Sequence, residues 1–267
     1  MFRKLAFALS FALASLAAQA QQAGRIDLME GGVSIVDSKD KPKALRIGEA
    51  VRQGDTITTG RDGEIHMRLD DGSVLAVRPD ARMTIVRFQN KGRDTDSSVL
   101  SLARGALRAI TGWIGRRNPN SVRIQTPTAT IGIRGTDHEA LVIPPGSDLG
   151  EAGTYDKVNA GGTSIVSERG SVDVGRGQAG FAPTAAAPVI LPSVPAFFRP
   201  TRNEGRLDGL HDAIQRSPER RGASGPTKGG TRIQGNTRIN ASASDVSAVA
   251  SGQGNQAVNR IGTIGGD

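Results

Sequence analysis

The chain has 267 residues, with 34 Lys and Arg against 26 Asp and Glu, a net charge of +8, and no Cys. Without Cys there are no disulfides, thiolate metal sites or Cys nucleophile; with 3% aromatic residues there is no large core packed around rings, so Val, Ile, Leu and Ala must build it. The basic charge does not read as nucleic-acid binding, because no Arg/Lys patch is interleaved with stacking aromatics.

Residues 1–20 read MFRKLAFALSFALASLAAQA. Arg3 and Lys4 give a charged start, an apolar run follows to about Leu16, and Ala18-Gln19-Ala20 has the small-x-small form that signal peptidase accepts. The run is short for a membrane span, which needs about 20 apolar residues. The expectation is a secretory leader cleaved near Ala20, a mature chain beginning at Gln21 and a periplasmic or cell-surface location.

From Gly24 onward apolar and polar residues alternate between closely spaced turns. Val33–Val36 reads as a strand, Asp37–Lys43 as a charged turn, Leu45–Ile47 as an extended piece, and Thr56–Thr59 as a strand after Gly54-Asp55. Glu64–Leu69 alternates strictly, with Ile65, Met67 and Leu69 on one face. Asp70-Asp71-Gly72-Ser73 supplies the positive φ of a tight hairpin turn, and Val74–Val77 returns until Pro79 ends it. Met83–Phe88, Val99–Leu102, Gly105–Ile110 and Ser121–Gln125 follow as strands, with a loop at 112–120 carrying Trp113. This spacing, without long helical periodicity, predicts an all-β fold: sandwich, barrel or solenoid. A short echo, Gly32–Val36 against Gly170–Val174, favours a stacked or coiled arrangement.

Four segments in this order carry a resemblance: Gly54–Gly60, Asp71-Gly72-Ser73, Gly105-Ala106-Leu107, and Thr126–Thr136 ending in Arg134-Gly135-Thr136. Over about residues 24–182 the chain resembles the FecR domain, with Gly170–Gly180 similar to its closing strands. The resemblance implies an all-β domain of short strands, solenoid-like or sandwich, that senses or binds another protein. Well-known members span the membrane and carry a cytoplasmic sigma-factor-binding segment. Nothing in this sequence matches that segment or its membrane helix, so the anti-sigma role is not carried over.

The signature positions Gly54, Asp55, Asp71, Gly72, Arg134, Gly135 and Thr136 are the candidate interaction residues. Asp55 and Asp71 also read as turn residues bonding their own backbone. Arg134 has a five-donor fork that suits several carbonyls, a carboxylate, or a partner.

No catalytic, cofactor or metal site is expected. Asp137-His138-Glu139 is acidic and imidazole-bearing, but the middle residue of a strand faces away from its neighbours. Gly175–Gly180 fits G-x-G-x-x-G, yet Phe181-Ala182-Pro183 follows where a dinucleotide site needs a helix. Asp70 and Asp71 are adjacent and diverge, so they cannot act as an acid–base pair.

The expected organisation is a leader at 1–20, a β-domain at 21–182, a Pro/Gly-rich linker at 183–230 and a tail at 231–267. Val189-Ile190-Leu191 and Phe197-Phe198 are sticky for a linker, and either lie across the β-domain or dock a partner. Thr201–Arg221 is expected to form at most one short helix, with Leu207, Leu210 and Ile214 on one side, weakened by Gly205 and Gly209. The Asn/Ser/Gly-rich tail is either disordered or a set of β-forming repeats. The function this implies is a periplasmic interaction or signalling module whose partner is a periplasmic or outer-membrane protein. The alternatives are a surface or fibre assembly built through the tail, or binding of acidic polysaccharide.

Overall fold

In the computed structural model, residues 21–216 are described. The leader and the tail, with the expectations placed on them, lie outside these residues. Fourteen strands form one open, mostly antiparallel sheet. They are β1 (Gln22–Glu30), β2 (Val33–Val36), β3 (Ala50–Arg52), β4 (Thr56–Thr59), β5 (Glu64–Leu69), β6 (Val74–Val77), β7 (Arg82–Gln89), β8 (Ser97–Ile110), β9 (Val122–Gln125), β10 (Thr130–Ile143), β11 (Gly153–Ser167), β12 (Gly170–Gly175), β13 (Ala179–Pro183) and β14 (Val189–Ile190). Helices α1 (Trp113–Arg117) and α2 (Glu204–Arg216) complete the described elements, with a 3₁₀ turn at Pro119–Ser121. None of the described helices is long and apolar enough to cross a membrane.

Three long strands divide the sheet into two halves. The first part of β8 pairs with β7 and, in parallel, with β9; its second part pairs with β6 and β10. β10 and β11 change partners in the same way. One half therefore runs β3-β1-β5-β6-β8-β10-β11-β13-β14, the other β2-β4-β7-β8-β9-β10-β11-β12. Apolar residues of both halves belong to a single buried cluster, including Ile57, Met67, Met83, Leu107, Ile131 and Val158.

The crossings rest on bulges. Side chains alternate along a strand, so one extra residue reverses which face each later residue presents. In β8, Leu100 and Leu102 are buried in the shared core before Gly105, and Leu107 and Ala109 after it. Even positions point inward first, odd positions afterwards. Gly105 sits at φ +74°, and a Cβ there would lie 2.5 Å from Ala81 Cα. In β10 the same reversal, from Ile131 and Ile133 to Ala140 and Val142, passes through Gly135 at φ +63°.

Three expectations need correction in detail. Leu45–Ile47 is not a strand, and Ile47 is 70% exposed; the pairing falls on β3 instead. The loop at 112–120 is α1 and the 3₁₀ turn. The echoed segments are not successive coils: β2 and β12 are the two outer strands of one half, each burying its second aliphatic residue, Ile35 and Val174. They look alike because they hold equivalent edge positions.

Residues 189–210 do not run free of the β-domain. β14 pairs with β13. Leu191, Phe197 and Phe198 join Leu141, Ile143, Tyr155 and Phe181 in a second apolar cluster. The Tyr155 and Phe181 rings stack with centroids 4.2 Å apart, and Phe197 meets Tyr155 edge-on at 4.9 Å.

Candidate functional site

The half-sheet containing β5, β6, β8 and β10 has one face in the core and one outside. The hydrophobic positions of the Glu64–Leu69 alternation face inward, which leaves Glu64, His66 and Arg68 outside. Register does the rest. His66 lies opposite Ala76, Ala76 opposite Arg108, Arg108 opposite Glu139, and Glu139 opposite Lys157. A neighbouring row carries Val74, Ile110 and Asp137. Arg78, just past β6, adds a second arginine. An outer sheet face with this much charge would ordinarily be solvated. Here Glu64, His66, Arg78, Arg108, Asp137 and Glu139 are all buried.

The segment from Phe197 through α2 buries them. Leu207 of α2 is fully buried against Val74, Ala76 and Ile110, with Leu210 beside it. Thr201 and Glu204 enter the charged row. Arg78 donates from Nη2 to Glu204 Oε2 at 2.7 Å and from Nη1 to Thr201 Oγ1 at 2.7 Å. Its remaining contacts are with Glu64 Oε1 and Glu139 Oε1, both at 3.3 Å. Arg108 forms a two-pronged pair with Asp137, Nε to Oδ1 at 2.9 Å and Nη2 to Oδ2 at 2.6 Å. It also donates to Glu204 Oε1 and, at 2.7 Å, to Asp208 Oδ1. One carboxylate, Glu204, thus bridges both arginines. Its Oε2 also accepts from the Thr201 N–H at 3.3 Å, tying the turn ahead of the helix to the helix's first residue.

The surroundings set the charge states. Burial works against the charge on Arg108, but Asp137, Asp208 and Glu204 outweigh it and hold its pKa above the ordinary value. Burial also pushes Glu64 up, but the hydrogen bond from His66 and the charge of Arg78 prevail, leaving it below 4.5. Glu139 goes the other way. Burial raises it above 4.5, Arg78 only partly opposes this, and the nearby Glu204 adds to the rise.

His138 is held apart from the two acids beside it. Asp137 and Glu139 face the charged row while His138, between them, is fully buried on the core side. Its Nδ1 is 2.6 Å from Asp156 Oδ1, and the other Asp156 oxygen accepts from Thr163 Oγ1. Asp156 lies between His138 and Thr163, so the hydroxyl is not paired with the imidazole and no nucleophile–base pair results. Among the described residues no group of His, Cys, Asp or Glu is arranged to hold a metal ion.

The signature residues lie elsewhere and do not come together. Asp55 is buried, accepting from the Arg52 N–H at 2.8 Å and from Lys43 Nζ. Gly54, at φ +91°, donates its N–H to Ile85 O at 2.7 Å. Asp71 is buried with its pKa raised by desolvation; it accepts the Ser73 N–H and hydroxyl at 3.0 and 2.9 Å beside Gly72, at φ +79°. Thr136 is buried, its N–H donating to Thr111 Oγ1 at 3.0 Å. Arg134, next to Gly135, is 57% exposed and among the described residues reaches only Asp173, at 3.4 Å and itself exposed. The arginines that bind carboxylates inside the protein are Arg78 and Arg108. The spacing Thr201-x-x-Glu204 before Leu207 and Asp208 was the available signal for the covering segment.

Fold and face together define an all-β domain with a row of paired, buried charges on one outer sheet face. Within it, residues 55–154 match the family model described as FecR protein. No curated protein matches it. Two crystal structures of a proposed anti-sigma factor from Parabacteroides distasonis ATCC 8503, at 1.65 and 2.50 Å resolution, each align at 11% identity with a TM-score of 0.42. The alignments cover 52% of this chain and 59% of that one, so the chain spans about three-fifths of the neighbour's length. A cell surface anchoring domain aligns over 23% of this chain and 82% of its own at 22% identity, with a TM-score of 0.23. These likenesses are too slight to carry a partner or an activity.

Proposed function

We propose that this chain is an exported FecR-domain module that works in the periplasm by binding another protein, with no reaction of its own. The observation that carries the reading is the row of Arg78, Arg108, Asp137 and Glu139 on a sheet face within the matched domain, a face that already holds one helix, α2, through charge pairing. Such a face has directional charge recognition and lacks an arranged nucleophile, base or metal site among the described residues. The leader-like residues 1–20 support export, and export makes a periplasmic or outer-membrane protein the partner class.

The test is a pull-down from periplasmic extract, with the mature chain immobilised beside an unrelated exported β-protein of equal net charge. The expected result is at least one protein retained by this chain alone and kept at raised salt. Retention of the same set on both baits would sink the reading. Loss of everything captured as salt rises would point instead to nonspecific attraction or acidic polysaccharide.

A further inference from the structure

The covering helix is weak by itself and strong only where it lies. α2 has 13 residues and contains Gly205 and Gly209. Each internal glycine costs a helix roughly 1 kcal/mol relative to Ala, and isolated helices shorter than about 12–15 residues are marginal in water. Its helical state therefore depends on the face beneath, through Leu207, Glu204, Asp208 and Thr201.

The face does not depend equally on the helix. With the helix lifted, Arg78 retains Glu64 and Glu139, and Arg108 retains both oxygens of Asp137. Neither arginine becomes a bare buried cation, the state that makes breaking such pairs so costly. What opens is a small apolar patch, Val74, Ala76 and Ile110, flanked by the guanidinium N–H groups that Glu204 and Asp208 had occupied. The opened patch and donors would suit a helix with two carboxylates one turn apart and an aliphatic side chain between them.

We propose that this face is a helix-docking site whose resident occupant is residues 201–210 of the same chain. An acidic amphipathic helix of a partner protein, matching the Glu204–Leu207–Asp208 pattern, takes the same place when the resident lifts. The inference rests on the reading of the domain as a protein-binding module and specifies its surface. The resident is tethered through residues 191–203, and a tether that short gives an effective concentration in the millimolar range. A free helix therefore competes poorly until the resident is weakened.

The experiment uses the mature chain, its Leu207→Asp variant and, should that variant fold poorly, Glu204→Lys. Trypsin cleavage after Arg206 reports opening. Binding of a labelled peptide with the sequence of residues 199–216 reports vacancy of the site. Each variant is expected to be cut at least tenfold faster after Arg206 and to bind the peptide at least tenfold more tightly than the unaltered chain. A peptide with Glu204 and Asp208 changed to Lys should not bind, and Arg108→Glu in the opened chain should abolish binding. Unchanged cleavage, or opening without peptide binding, overturns the inference while leaving the wider binding role to the pull-down. Equal binding of the charge-reversed peptide also overturns it.

Discussion

Glu64 and Glu139 both contact Arg78, yet their environments push them in opposite directions, so they give opposite pH signatures. A carboxyl lowered in the folded state contributes stability above its unfolded value and loses it as pH falls through the folded one. That is Glu64, whose folded pKa lies below 4.5. A carboxyl raised in the folded state contributes stability below the unfolded value and loses it as pH rises through the folded one. That is Glu139, whose folded pKa lies above 4.5. In urea unfolding, Glu64→Gln should therefore be most costly near pH 7 and approach the unaltered chain at about pH 3. Glu139→Gln should improve relative to the unaltered chain between about pH 4 and about pH 7. Offsets that stay constant with pH for both variants would contradict this assignment. Only structure tells these residues apart: in sequence both are acids at strand positions, and what separates them is depth and the hydrogen bond from His66.

Among the elements, β8 does most to connect the two halves, and Gly105 is where it changes sides. Substitution at a positive φ costs about 1 kcal/mol or more for an L side chain. At Gly72 (φ +79°) nothing lies within 4 Å of an added Cβ, so Gly72→Ala should cost roughly that amount and no more. Gly105→Ala carries the same conformational cost and forces the new methyl against the Ala81 backbone, which cannot move aside cheaply. Its loss in unfolding free energy should exceed that of Gly72→Ala by at least ~1 kcal/mol; equal losses would mean the bulge relaxes freely. The hairpin of β5 and β6 was legible because strict alternation and Asp-Gly fix register locally. The bulges were not, because a one-residue shift shows only when two partner strands are compared.

At the scale of the molecule, β1 begins at Gln22, immediately after the leader-like stretch. Cleavage after Ala20 would therefore leave the first strand whole. The mature protein should be recovered from the periplasmic fraction with a mass corresponding to a start at Gln21. A full-length chain retained in the cytosol would remove the basis for a periplasmic partner.

Alternation, turn residues and short motifs are local signals, so the all-β class, the main hairpin, a short helix around Leu207 and the likeness to the FecR domain are legible in the residues alone. Where the charges act depends on which distant segments meet. Arg134, conspicuous in a motif, lies largely in solvent beside one exposed aspartate. Arg78 and Arg108, inconspicuous in sequence, are buried because strand register aligns them and a helix about a hundred residues downstream closes over them. Burial and ion pairing at that separation depend on how the chain returns to itself, which no local pattern of residues encodes.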